Sequence, residues 1–163
     1  NPNGKVPTLV DDGRTLWEAD AIMCHLAQRA ESTLWPRDPG AQVEIVRWFS
    51  WDLQHFTRHA ATLYFEYIIK ARFGIGDPDP RAVEDARKQF RRFAGILDAH
   101  MRDRDWLLGD ALSVADFALA ITLPYAERAH IPLDEFAHVR GWHDRLCEFE
   151  AWREPFPARV DAS

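Results

Sequence analysis

The stretch that most constrains this chain is Trp106 to Ala120, WLLGDALSVADFALA, because it states where a buried helix begins. Ser113 is a natural N-cap, since its hydroxyl can accept from the backbone N–H three residues on. Asp116 occupies that third position and can reach back to the Ser113 amide, a capping box with Asp in place of the usual Glu or Gln. Leu112 before the cap and Phe117 at N4 are placed to staple the chain across the helix start. Asp116 also brings negative charge to the positive end of the helix dipole. From Phe117 to Leu123 there is almost no polar face, and a helix apolar all round is a central one that other helices must surround. Taken alone, the segment reads as a well-capped core helix.

The remaining composition can supply those surrounding helices. Hydrophobic residues make up 47% of the 163, with seven Trp, enough for a sizeable core in one domain or a little more. The formal charge of −6 and the absence of a basic run argue against a general nucleic-acid binder. No apolar run approaches the length of a membrane span, and no signal peptide is visible. Cys24 and Cys147 are too few for a disulfide framework and fit a reducing cytosol. His55 and His59 have the i, i+4 spacing of a metal pair, but no Glu lies between them and no further ligand set accompanies them, so no metal site is expected. There is no Walker loop, no G-x-G-x-x-G and no nucleophile elbow.

Taken in order, the chain opens on NPNGKVPTLV, where Asn-Pro and Asn-Gly are turn signals and Val6 to Val10 reads as a short strand. Pro7 cannot donate to a ladder and belongs at a strand start or edge. Asp11-Asp12-Gly13 is a turn and Thr15-Leu16-Trp17 a second strand, so the two form a hairpin. Residues 18–30 form a helix, with Ile22, Leu26 and Ala30 on one face and Glu18 and Asp20 in the dipole-favoured first turn. Residues 31–41, ESTLWPRDPGA, form a Pro- and Gly-bearing linker anchored by Leu34 and Trp35.

A long helix is expected over 42–73, with Val46, Phe49, Leu53, Phe56, Ala60, Leu63 and Tyr67 as its core stripe. Its second stripe, Trp48, Asp52, His55 and His59 with Trp51 beside it, suits a cleft wall, a subunit contact or an ordinary partly exposed face. GIGDPDP stops that helix. The next, over 81–104, carries Val83, Ala86, Phe90, Phe93, Leu97 and Met101. The capped helix follows and bends near Pro124. One or two shorter helices are expected over 134–150, with Val139, Trp142, Leu146 and Phe149 in phase. The tail from Trp152 through Pro155 and Pro157 reads as a packed loop fraying at Ser163.

The string G-x-x-L-S-V-A-D-F after Trp-Leu-Leu resembles the capping-box segment of the glutathione transferase superfamily. NPNGKVPTL, a turn and then L-W-E-A-D-A-I resemble the second half of that family's thioredoxin-like domain. L-W-P-R-D-P leading into a helix with Trp48 and Trp51 is similar to its interdomain link and first C-terminal helix. W-H-D-R-L and E-A-W-R-E-P-F are similar to its last helices. The resemblance implies a mostly α protein: an all-helical C-terminal domain over 42–163, preceded by a partial thioredoxin-like hairpin plus helix over 1–30 and a linker over 31–41.

It also implies glutathione as co-substrate. The Pro7 bond would be cis and would aim the backbone of Val6 at the cysteinyl part of the tripeptide, as an added strand does. The residue matching Lys5 assists nearby. Glu18 would meet the glutathione amino group, and the helix-start amides its carboxylate. The family's usual Ser after that Glu is Ala19 here. The lost hydroxyl predicts weaker binding by roughly 1.5–3 kcal/mol. Trp51, Asp52, His55 and His59 become the implied contacts for the second substrate.

The family's catalytic Tyr, Ser or Cys lies on strands that precede NPNGKVPTL, so no residue of this chain takes that role, and Cys24, in a helix after the hairpin, does not inherit it. A hairpin without its central strands would expose a sheet edge, so residues missing upstream are expected rather than a natural truncation. The expected activity is conjugation of the glutathione thiol to a small hydrophobic electrophile by a cytoplasmic homodimer. The alternatives are a non-catalytic interaction or regulatory protein, or a glutathione-dependent reductase or lyase on the same fold.

Overall fold

A computed structural model describes residues 1–155. Strands β1 (Thr8–Asp11) and β2 (Arg14–Trp17) form an antiparallel pair in the register Thr8↔Trp17 to Asp11↔Arg14. The turn between them places Asp12 at φ 47° and Gly13 at φ 77°. Two consecutive left-handed residues give the turn whose twist matches that of the strands, which is why Asp-Gly sits there. Helix α1 (Ala19–Arg29) follows at once. Asp11 at the end of β1 fastens the hairpin to it, accepting from His25 at 2.7 Å and from Arg29. These partners, His25 first, hold the Asp11 carboxyl below its ordinary range. The inward residue of α1 is Ala27, with Met23 and Cys24 packed beside it. Leu26 is exposed, so the expected face of Ile22, Leu26 and Ala30 is not the one that meets the core.

Helix α2 (Pro39–His55) starts three residues before the expected position, inside the linker. The reason is local: Asp38 accepts from the Ala41 amide at 2.7 Å and Pro39 fits the first helical position. The single helix expected over 42–73 is divided. After α2 come α3 (Thr57–Tyr64), a π-turn over Phe65–Ile69 and the one-turn helix α4 (Lys70–Phe73), closed by Gly74 in the left-handed region. Two buried carboxylates accompany the interruptions. Asp52 takes the Thr57 amide at 3.0 Å, and Glu66 pairs with Lys70 at 2.7 Å while accepting from the Asp79 amide at 2.6 Å.

The expected core stripe holds at Phe49, Phe56, Ala60 and Leu63 but is rotated within α2. Ile45, Trp48, Phe49, Asp52, Phe56, Ala60 and Leu63 are buried, whereas Val46 and Leu53 are more than half exposed.

Helix α5 (Pro80–Met101) opens on Asp79, which accepts from the Arg81 amide at 2.9 Å. It buries Val83, Ala86, Phe90, Leu97 and Met101 as expected, with Ala94 in place of the half-buried Phe93. The capped helix is α6 (Val114–Ala120), central as its sequence requires, with six of its seven residues buried. It ends before Pro124, which sits in a 3₁₀ turn over Leu123–Tyr125. Both α1 and α2 pack against it, and the Leu34 carbonyl accepts from the Val114 amide at 3.0 Å, seating the linker on the cap.

Helix α7 (Ala137–Leu146) buries Val139, Trp142 and Leu146. Its first amides, those of His138 and Val139, donate to Asp98 of α5 at 2.8 and 3.1 Å. Phe149 is not in phase with them but exposed, resting near Trp106 and Phe117. Helix α8 (Glu150–Arg153) puts Trp152, expected in a loop, against Phe117. Pro157 and Ser163 lie outside the described residues. No helix among the described residues is long and apolar enough to cross a membrane.

Candidate functional site

Two groups of expected residues assemble, one on the hairpin side and one on the helical side. On the hairpin side, Lys5, Val6, Pro7 and Glu18 line a single cleft of about 390 Å³ together with Asn1 and Asn3. The Val6–Pro7 bond is cis. Val6 precedes the first paired residue of β1 and is 93% exposed, so its backbone is available to a further strand-like partner.

Glu18 is the N-cap of α1 at φ 73°, ψ 122°, and no side chain caps the helix. A non-glycine residue in that region carries strain of about 1–3 kcal/mol, which surrounding structure must impose. The uncapped first turn of α1 leaves backbone N–H groups at the positive end of the dipole, where an anion is favoured. Ala19 is the first residue of that turn and is exposed. Sequence reasoning missed Asn1 and Asn3. Their only signal was turn chemistry, which says nothing about a cleft.

Asp20, half-buried in the same turn, has its carboxyl raised by burial and by the charge of Glu18. Its own charge acts in turn on Asp52 of α2 and on Cys24. Cys24 is a poor nucleophile, its thiol pushed up to about 11, first by burial.

On the helical side, Trp51 and His55 of α2 and His59 of α3 converge on Phe93 of α5. The His55 and Phe93 rings are 4.6 Å apart at 23°, His59 and Phe93 5.8 Å apart at 2°, and Trp51 meets Phe93 edge-on at 6.3 Å. The Arg92 guanidinium lies 5.2 Å from the Phe93 ring centre. Burial, followed by the charges of Arg58 and His55, lowers the His59 pKa, favouring the neutral ring. All four ring-bearing residues are half-buried.

Asp52 is not part of this face. It is 4% exposed and turned inward, holding the Thr57 amide. Burial pushes its carboxyl up to about 7 against the hydrogen bonding of Thr57. Phe93 was legible only as a core residue, since its spacing to Phe90 and Leu97 fits the core stripe as well as a neighbouring position. Among the described residues no three of His, Cys, Asp and Glu converge as a metal site would require.

A hairpin delivering an exposed strand backbone beside an uncapped helix start, set against a helical bundle nucleated by a capping box, defines a two-part protein of the thioredoxin-like-plus-helical type. Residues 1–29 match the glutathione S-transferase N-terminal domain, and residues 80–145 match the glutathione S-transferase C-terminal domain. The chain belongs to the glutathione S-transferase superfamily.

It is 30% identical to glutathione S-transferase D7 of Drosophila melanogaster over 146 residues, 87% of this chain and 61% of that protein. It is 29% identical to FtsZ-localized protein A of Caulobacter vibrioides over 153 residues, 90% of this chain and 67% of that protein. The structure of Ure2p in complex with glutathione superposes with a TM-score of 0.77 at 27% identity, covering 94% of this chain and 72% of that one. The chain thus spans about two thirds of the length of its curated relatives.

Proposed function

We propose that this chain binds glutathione in the hairpin cleft and belongs to a transferase that conjugates the glutathione thiol to a small hydrophobic electrophile. The observation that carries the reading is the convergence on one cleft of the exposed Val6 backbone, Lys5 and the strained Glu18, at the uncapped start of α1. Val6 would pair with the cysteinyl backbone and Lys5 would assist beside it. Pro7 would orient the Val6 backbone. Glu18 would meet the ammonium, and the amides at Ala19 and beyond the α-carboxylate. Ure2p, at 27% identity, is known in complex with glutathione, which supports the assignment.

The electrophile would rest on Trp51, His55 and His59, with Phe93 completing the face and Asp52 supporting it from behind. Edge and face contacts of this kind suit a planar apolar molecule. In the homodimer that this reading includes, the exposed side of α2, with Val46 and Leu53, is the candidate contact.

A second reading is a non-catalytic interaction protein on the same fold. Two observations favour it: Ala19 in place of the family's Ser, and similarity to FtsZ-localized protein A.

Isothermal titration of the chain with glutathione tests the first reading. Saturable binding that disappears in Glu18→Gln is expected. No binding by the unmodified chain overturns it and leaves the interaction reading.

A further inference from the structure

We propose that Asp52 is a proton-responsive pin that sets the bend between α2 and α3 and, through that bend, the spacing of the aromatic face of Trp51, His55, His59 and Phe93. As a determinant of substrate choice this rests on the reading of that face as the electrophile site. As a statement about geometry it does not.

The bend is where the pin is. In an uninterrupted helix the Thr57 amide would donate to the Leu53 carbonyl. It donates instead to Oδ1 of Asp52 at 3.0 Å, and α2 ends at His55. Leu53 is on the exposed side, where water can satisfy the carbonyl that has lost its partner. Trp51 and His55 lie before the bend and His59 after it, yet all three pack on Phe93, which belongs to a different helix. A change in bend angle therefore moves His59 relative to His55 against a fixed ring.

The surroundings of Asp52 make its charge conditional. From α3 it receives the Thr57 amide. From α1 it faces Asp20, a like charge. Helix α6, packed on α2, brings one ionisable group, Asp116, which is engaged in its own cap. From α5 come His100, against Trp48, and Arg92, over Phe93. His55, His59 and Arg58 are the remaining titratable or charged groups of the bend. Burial at 4% exposure disfavours the carboxylate, and the carboxyl is held near neutrality. When ionised, Asp52 gives Thr57 a charge-assisted bond at the start of α3. When protonated, it gives a neutral and weaker one. The tightness of the bend follows the proton.

The experiment is a pH titration followed by nuclear magnetic resonance, from about pH 3 to about pH 9. It compares the wild type with Asp52→Asn, which keeps the Oδ1 acceptor and cannot titrate. The Thr57 amide shift of the wild type is expected to move with a midpoint near neutrality, and the Phe93 ring signals are expected to share that midpoint. In Asp52→Asn both movements should vanish. A Thr57 midpoint in the ordinary carboxylate range, or Phe93 signals that titrate alike in both proteins, overturns the proposal. The same samples are then titrated with 1-chloro-2,4-dinitrobenzene on either side of the midpoint. If the bend responds but binding of this probe does not, the electrophile reading of the face fails while the pin stands.

Discussion

The indole Nε1 of Trp142 donates to Oδ1 of Asp116 across 2.9 Å, joining α7 to the start of α6 with both side chains fully buried. The same oxygen accepts from the Leu107 amide at 2.9 Å. Oδ2 accepts from the amide and hydroxyl of Ser113 at 2.9 and 3.0 Å. Burial raises the Asp116 carboxyl, and these four donors oppose it. Asp116→Ala would strip the acceptor from two buried amides and an indole, each loss worth about 1–3 kcal/mol. A destabilisation of about 3–5 kcal/mol is expected in urea unfolding, the range for breaking a buried charged network. Asp116→Asn keeps an oxygen for Leu107 and Trp142 and should lose roughly half as much. An alanine variant within about 1 kcal/mol of wild type would show that the network contributes no net stability.

Asp52 predicts a pH dependence of opposite sign to that of an ordinary paired carboxylate. Its carboxyl stands at about 7 in the folded chain against 3.8 as a reference. The native state therefore binds a proton that the unfolded chain has already released. Stability from this group is present at low pH and is lost as pH rises through that interval. At about 1.4 kcal/mol per unit, the three or so units amount to about 4 kcal/mol. Relative to Asp52→Asn, the wild type should lose up to that amount between about pH 4 and about pH 7, with no further change above. Chemical denaturation of both proteins at several pH values gives the difference directly. A difference independent of pH would mean that water reaches the carboxylate and that its titration is ordinary.

The same two aspartates show what the sequence could and could not tell. Asp116 was legible because a capping box is a local pattern: Ser, two residues, acid, then an apolar run. Asp12-Gly13 was legible for the same reason. Asp52 was not. Helix α2 carries two apolar stripes, and the one containing Asp52 looked like the outer face because it held an acid. Asp52 is buried because it continues the α2 face of Ile45, Trp48 and Phe49, and only the packing of α2 on α6 selects that face. The π-turn around Glu66 escaped notice likewise, since the Asp79 amide that completes it lies thirteen residues on. At the candidate site, the resemblance supplied which residues to watch. Only the fold brought Asn1 and Asn3 to one cleft with Glu18, and Phe93 to the two histidines.

On the proposed reading, Glu18 couples backbone strain to glutathione binding. At φ 73°, ψ 122°, its backbone conformation costs about 1–3 kcal/mol for any residue with a Cβ. Glycine relieves part of that strain. Glu18→Gly is therefore expected to melt no lower than wild type while losing retention on immobilised glutathione. Calorimetry and the column test the two halves separately. A clear drop in melting temperature would show that the side chain stabilises the fold. Full retention would show that the carboxylate does not meet the ligand.

On the proposed reading, Ala19 sets the affinity for glutathione. It is exposed at the first residue of α1, beside amides that no side chain caps. A serine there would place a hydroxyl at the first helical position, beside the uncapped helix-start amides and where the α-carboxylate of glutathione is expected. A hydrogen bond to a charged group is worth about 1.5–3 kcal/mol, so Ala19→Ser should tighten glutathione binding by a factor of about 10 to 150. The gain should appear in the dissociation constant for glutathione and not in that for the glutathione analogue whose γ-glutamyl α-carboxylate is replaced by a carboxamide. Equal gains for both ligands would mean that the hydroxyl acts by capping α1. No gain for either would place the tripeptide's carboxylate elsewhere and remove the α1 terminus from the binding site.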